Sequence, residues 1–230
     1  MALTIHTIYR YIFKIWRRKR FELFLRLVKP KQSDILLDVG GYPAFWTSHP
    51  QPVKRIDSLN LHEVSWNSLQ SPAHDIRTLI GNGCALSLAD KSYDIGFSNS
   101  VIEHVGSWEN QKRFASEIRR AAKSLWVQTP AYECPVEPHY MAPFVHYLPP
   151  SFRRLVVRWC TPWGWLERPS TDEINLMVDT TRLLRKSEMR QLFPDCEILT
   201  ERILWMIPKS YIAIRRMNVD PPGTCCCNVA

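Results

Sequence analysis

A chain of 230 residues is long enough to bury a full core as one domain, and 45% hydrophobic residues with nine tryptophans exclude general disorder. The formal net charge of +8 is concentrated at one end: Met1 to Lys31 hold nine Lys or Arg against Glu22 alone, while the other 199 residues carry 21 of each sign, which argues against a nucleic-acid-binding core. No run of 18 apolar residues offers a membrane span, and the charges of 17–20 follow the apolar residues of 8–16, the wrong order for a signal peptide, so a cytoplasmic protein is expected.

Residues 8–28 place Ile8, Ile12, Ile15 and Trp16, then Phe21, Phe24, Leu25 and Val28, at helical spacing around Arg17-Arg18-Lys19-Arg20, a pattern that predicts two amphipathic helical stretches. Two readings of this basic arm (1–31) stay open: a helix covering the sheet with a solvated basic face, or contact through 8–31 with an anionic membrane surface or acidic partner. Pro30 closes the arm. Ile35-Leu36-Leu37-Asp38-Val39-Gly40-Gly41 then reads as a buried parallel strand ending in glycines. A short helix is expected from Tyr42 to Trp46, a second strand over 53–61, a third over 76–80 and a fourth over 93–99. A helix with Phe114, Ile118 and Ala121 on one face and a fifth strand over 124–129 follow. Strand and helix alternating in this way predict a doubly wound, mostly parallel α/β sheet with the domain spanning 32–216. Between 130 and 165 prolines and aromatics break the rhythm, so that stretch is expected to form an ordered lid on the acceptor side. A capped helix over 187–193 and two antiparallel strands, 197–203 and 211–216, complete the sheet. The tail 217–230 is short and polar; Cys227 at four residues from the end fits a prenylation signal loosely, with Cys225 and Cys226 as acylation candidates.

Ligands of open α/β sheets lie beyond the carboxyl ends of the strands, where glycine allows close approach. Three such ends are predicted to converge here: Asp38-Val39-Gly40-Gly41, Asn60 and Asn82. Asn60 stands 22 positions after Asp38, suited to ribose hydroxyls; Asp57 is a poorer choice because it would be a charge in mid-strand. Cys84, Cys134, Cys160 and Cys196 are scattered, so neither a disulfide framework nor a CxxC metal pair is expected, and no metal site is read from the sequence.

The string from Gly81-Asn82-Gly83 through Asp90-Lys91-Ser92-Tyr93-Asp94 to Ser98-Asn99-Ser100-Val101-Ile102-Glu103-His104 resembles the class I S-adenosylmethionine-dependent methyltransferases of the methyltransferase type 11 group. The resemblance runs from about Ile35 to Thr129 and implies a seven-stranded, Rossmann-like fold with S-adenosyl-L-methionine as cofactor. It carries Asp38, Gly40 and Gly41 to the cofactor loop, Asn60 to the ribose, Asn82 and Gly83 to the adenine turn, and Ser98 and Asn99 to the end of the fourth strand beside the methionine moiety. Tyr42 and Ala44 stand where the family has further glycines, and Asn82 replaces its usual Asp. The implied reaction is methyl transfer by in-line displacement to a small-molecule, lipid or glycan-precursor acceptor; the competing reading is a methyltransferase fold that has lost turnover and serves as a binding subunit. His139 with Glu137 as partner, His146 and His104 are the candidates for a base or substrate orienter, because histidine titrates near neutrality.

Overall fold

The computed structural model describes residues 5–64 and 74–217, with side chains from Trp16 onward. The cysteine-bearing tail and the side chains of 8–15, on which parts of the arm and lipidation expectations rest, lie outside the described residues. Strands β1 (Ile35–Val39), β2 (Arg55–Asn60), β3 (Ile76–Ile80), β4 (Tyr93–Asn99), β5 (Ala122–Pro130), β6 (Glu197–Ile203) and β7 (Ile207–Arg215) form one sheet in the order β3-β2-β1-β4-β5-β7-β6. The first five run parallel, and β7 lies antiparallel between β5 and β6. This is the mostly parallel sheet that the alternation of elements predicts, in the seven-stranded form that the resemblance implies, and its order reverses direction at β1 and β4, where such folds open a crevice.

Both faces of the sheet are covered, which explains why the central strands are apolar throughout instead of alternating. Leu36, Ile56, Ile95, Phe97, Trp126 and Ile212 meet Phe21, Phe24 and Trp46 on one side. Their strand neighbours Leu37, Leu59, Leu125, Val127 and Ala213 meet Phe114, Ile118, Leu192 and Phe193 on the other. The first layer is helix α1 (Ile5–Val28) and the short α2 (Pro43–Thr47); the second is α3 (Trp108–Ala121) and α7 (Lys186–Leu192). Ser107 caps α3 by accepting the Asn110 N–H at 3.2 Å, satisfying one of the orphan donors of its first turn.

The arm differs from its expectation: it is one continuous helix, not two, because Arg17 to Arg20 are good helix formers and nothing in the run breaks the backbone ladder. It packs through Phe21, Phe24 and Val28 and leaves Arg17, Arg18 and Lys19 exposed. Arg20 turns inward and donates to Asn99 Oδ1 at 3.0 Å, Gln128 Oε1 at 2.9 Å and Glu201 Oε2 at 2.7 Å, tying the helix to β4, β5 and β6. β7 begins at Ile207, four residues before the expected start.

The region after β5 holds three helices that periodicity did not reveal: α4 (Pro150–Cys160), α5 (Pro162–Glu167) and α6 (Thr171–Thr180). With a two-stranded ribbon, Val136–Glu137 against Ala142–Pro143, they form a cap whose own small core contains Tyr140, Ala142, Val145, Val157, Ile174 and Val178. The cap continues past Trp165 to Thr180, where a capping box at Ser170 and Glu173 starts its last helix.

Candidate functional site

The crevice at the ends of β1, β2 and β3 is a cavity of about 590 Å³, within the range of small-molecule sites. Its wall is built from Val39, Gly40 and Tyr42 after β1, Asn60 to Val64 after β2, and Gly81 to Gly83 after β3, with Val101, Val105 and Phe114 beneath. Gly40 has φ +78°, and a Cβ there would stand 2.5 Å from a Val101 methyl, so backbone and space both require glycine. The Gly41 carbonyl accepts from Ser58 Oγ at 2.7 Å and Asn60 Nδ2 at 3.0 Å. The end of β2 thereby pins the glycine turn, and the Asn60 side-chain oxygen is left as an acceptor. Asn82 takes the Cys84 N–H at 2.9 Å, which closes its turn as an Asx-turn does. A Cβ on Gly83 would meet Val39 at 2.8 Å and Phe114 at 2.9 Å.

Of the residues that the sequence assigns to this crevice, Gly40, Asn60, Asn82 and Gly83 line it together. Asp38 and Gly41 sit behind the wall. Asp38 is fully buried, its Oδ2 accepts the Trp46 indole N–H at 2.7 Å, and its Oδ1 has no partner. Burial pushes its carboxyl up to about 7 against the lowering effect of that hydrogen bond. Ser98 and Asn99 lie away from the wall: Ser98 donates to the Val39 carbonyl at 3.0 Å within the sheet, and the Asn99 oxygen is taken by Arg20. Asp57 is in mid-strand as argued, buried beneath Arg55 and the Tyr93 hydroxyl, at 3.0 and 2.8 Å.

Three of the four candidates, Glu137, His139 and His104, are brought into contact at the cap. His139 Nδ1 meets Glu137 Oε1 at 2.5 Å, and its Nε2 faces His104 Nε2 at 3.0 Å. Glu137 Oε2 accepts the Tyr140 backbone N–H at 2.8 Å. Burial alone would lift the Glu137 carboxyl, but the charge and hydrogen bond of His139 hold it below its ordinary value. For His139 burial opposes the charge, and Glu137 overcomes it and raises the imidazole. His104 is pushed down to about 4 by the crowding of its ring and by the His139 charge, although one edge reaches solvent. Glu137 therefore favours the protonated form of His139, while His104 favours the neutral form.

His146 belongs to a second cavity of about 260 Å³, walled by Tyr132, Glu137, Tyr140 and Arg153 from the cap and by Thr181 to Arg185 from the chain before α7. Its Nε2 stands 2.9 Å from the Tyr132 carbonyl. A carbonyl only accepts, so Nε2 carries the proton and Nδ1 is a bare lone pair. That Nδ1 has no partner, and neither have Tyr140 Oη and Arg153 Nε nearby. Burial lowers the His146 pKa and keeps the ring neutral.

The two cavities are joined by one short element. The 3₁₀ turn Ile102–His104 is flanked by Val101 and Val105, which line the first cavity, while His104 reaches His139 and Thr181, the latter a wall residue of the second. Sequence reasoning missed Val101, Glu63, Tyr140, Arg153 and Thr181 as wall residues. Glu63 stands three positions after the flagged Asn60 and Val101 two after Asn99; the others lie on elements that only packing brings near.

Residues 38–125 match the family model described as a methyltransferase domain. No curated protein matches the chain. Among solved structures, the chain is similar to a proposed zinc-dependent alcohol dehydrogenase from Rhodobacter sphaeroides (TM-score 0.58, 9% identity, 84% of this chain and 86% of the other). A second likeness is to the complex of the Trm112 methyltransferase activator with a proposed methyltransferase from Haloferax volcanii (0.53, 11%, 93% and 98%). A third is to the Haemonchus contortus phosphoethanolamine N-methyltransferase 2 in complex with phosphomonomethylethanolamine and S-adenosylhomocysteine (0.50, 15%, 80% and 38%). At these identities the likeness is one of fold.

Proposed function

Because residues 38–125 match a methyltransferase-domain model, we propose that the chain is a class I S-adenosylmethionine-dependent methyltransferase whose first cavity holds the cofactor and whose second holds the methyl acceptor. The observation that carries this reading is the turn 102–104, which has Val101 and Val105 at one cavity and His104 at the edge of the other. The first cavity suits the cofactor by its size, by the glycine at 40 that leaves the wall bare, and by the free oxygen of Asn60 at ribose distance along the chain. Bound there, S-adenosylmethionine supplies an electrophilic methyl group on a sulfonium, open to in-line attack.

The acceptor is a small polar molecule, or the polar end of a lipid or glycan precursor, since about 260 Å³ with arginine, tyrosine and histidine in its wall suits nothing large or wholly apolar. His146 is the base: its ring is neutral, its orientation is set by the Tyr132 carbonyl, and its lone pair is unused. His139, fixed by Glu137, and His104, which reaches the wall residue Thr181, orient the acceptor from the edge of the cavity. Among the described residues no helix is long and apolar enough to cross a membrane, and the exposed arginines of α1 give the protein a face for an anionic surface.

Titration calorimetry with S-adenosylmethionine and its demethylated product tests the first cavity, and labelled-methyl transfer across a panel of hydroxyl, amine and carboxylate acceptors tests the second. His146→Gln is expected to keep cofactor affinity and lower kcat by 10²- to 10⁴-fold. In the unaltered protein the acid limb of kcat/KM should lie below the ordinary histidine value, because His146 acts deprotonated and burial lowers it. Full turnover in His146→Gln removes it from the mechanism, and the absence of cofactor binding in the unaltered chain returns the protein to the class of inactive binding subunits.

A further inference from the structure

A group of side chains beside the acceptor cavity is built more fully than orientation of a substrate requires. The Nε2 atoms of His104 and His139 face each other at 3.0 Å. A carboxylate oxygen of Glu103 joins them, and the three ligand-type atoms lie within 4.8 Å of one another. Glu103 is completely buried; its Oε2 accepts the Thr129 hydroxyl at 2.9 Å and its Oε1 has no partner. The outer nitrogens of both rings are also held, His139 Nδ1 by Glu137 at 2.5 Å and His104 Nδ1 by Thr181 Oγ1 at 3.5 Å.

A proton shared between two imidazoles accounts for the facing nitrogens. It leaves the Glu103 carboxyl, which burial pushes up to about 7, neutralised by a proton alone and with Oε1 still unpartnered beside the rings. A single cation accounts for both. Two imidazole nitrogens each 2.0–2.1 Å from one metal stand about 2.9–3.4 Å apart, depending on coordination angle, and 3.0 Å falls within that span. The Glu137 carboxylate behind His139 is the outer support that fixes the tautomer of a ligating ring. Two imidazoles with one carboxylate form a borderline donor set, suited to zinc-type divalent transition ions and poorly suited to Mg²⁺ or Ca²⁺, which prefer all-oxygen shells.

We propose that Glu103, His104 and His139 bind one divalent transition cation of the zinc type, with Glu137 as a positioning residue. Three protein ligands leave coordination positions open. Their place between the two cavities makes an oxygen of the acceptor the natural fourth ligand. That role rests on the acceptor reading above; the existence of the site does not.

The full chain, stripped with a chelator and dialysed, is titrated with Zn²⁺ by calorimetry and with Co²⁺ by visible absorption, with Mg²⁺ in parallel. One equivalent of Zn²⁺ and of Co²⁺ is expected, with ligand-field bands of a nitrogen- and oxygen-bound ion and no thiolate charge-transfer band. Glu103→Gln, isosteric and able to stay buried, and His104→Ala should each abolish binding, while Glu137→Gln should weaken it 10- to 100-fold. Thermal melts followed by circular dichroism confirm that each variant is folded. Ion that remains bound in Glu103→Gln and His104→Ala, for instance on Cys225 to Cys227, overturns the proposal, as does equal or stronger affinity for Mg²⁺ or no binding at all. S-Adenosylmethionine is titrated into the same samples: cofactor binding without metal binding sinks only the metal site, and metal binding without cofactor binding sinks only the enzymatic reading.

Discussion

The carboxyl of Asp38 offers the sharpest test of how the crevice is built. It stands on β1 directly behind the glycine turn, and a Cβ on Gly41 would lie 1.7 Å from its Oδ2, so the acid and the turn are packed as one unit. Burial raises its pKa from 3.8 to about 7, and a raised carboxyl favours the unfolded chain as pH increases, since the unfolded state releases its proton first. Between these two values native stability is lost as pH rises; below them nothing is lost. The penalty works out at about 2 kcal/mol at pH 5 and about 4 kcal/mol at pH 8, from 1.36 kcal/mol per pKa unit. Asp38→Asn keeps an acceptor for Trp46 and cannot ionise. It also leaves one unpaired amide group, a cost of about 1–3 kcal/mol that does not vary with pH. The absolute difference between variant and wild type therefore mixes two effects, but its change with pH reports only one. Urea unfolding followed by tryptophan fluorescence should show the variant gaining about 2–3 kcal/mol on the wild type between pH 5 and pH 8. Parallel stabilities across that range would refute a buried, protonated Asp38.

Gly40→Ala should impose about 1–2 kcal/mol of left-handed backbone strain and drive Val101 toward the cavity, lowering cofactor affinity at least tenfold in calorimetry; unchanged affinity would mean that the wall at Gly40 makes no close approach. Arg20→Ala removes the donor shared by Asn99, Gln128 and the largely buried Glu201, with an expected loss of about 3–5 kcal/mol in urea unfolding; a loss under about 1 kcal/mol would reduce the contact to a surface ion pair. Burial lifts the Glu201 carboxyl but Arg20 more than offsets it, so this stabilisation is present above the unfolded carboxylate pKa and fades on acidification; in Arg20→Ala the fading should be absent.

The sheet was legible because its signals are local. Leu36 and Leu37 point to opposite faces, each covered, and only a buried parallel strand tolerates that run; Gly40, Asn60 and Asn82 followed as strand ends. The cap was not legible. Its helices are short, α4 leaves Phe152, Leu155 and Trp159 exposed, and its small core comes from residues 140 to 178 that no periodicity links. Likewise Asn99 looked free in the sequence and is occupied by Arg20, 79 positions away.

By itself, the order of residues determined the strand sequence, the crevice and the family resemblance, since hydrophobic period and glycine placement act over a few residues at a time. Only the tertiary structure decided which histidine has an unused lone pair, which is paired with a buried carboxylate, and that ligand-type atoms of Glu103, His104 and His139 lie within 4.8 Å of one another. Protonation and ligation depend on burial and on partners distant in the chain, and no short window of sequence carries either.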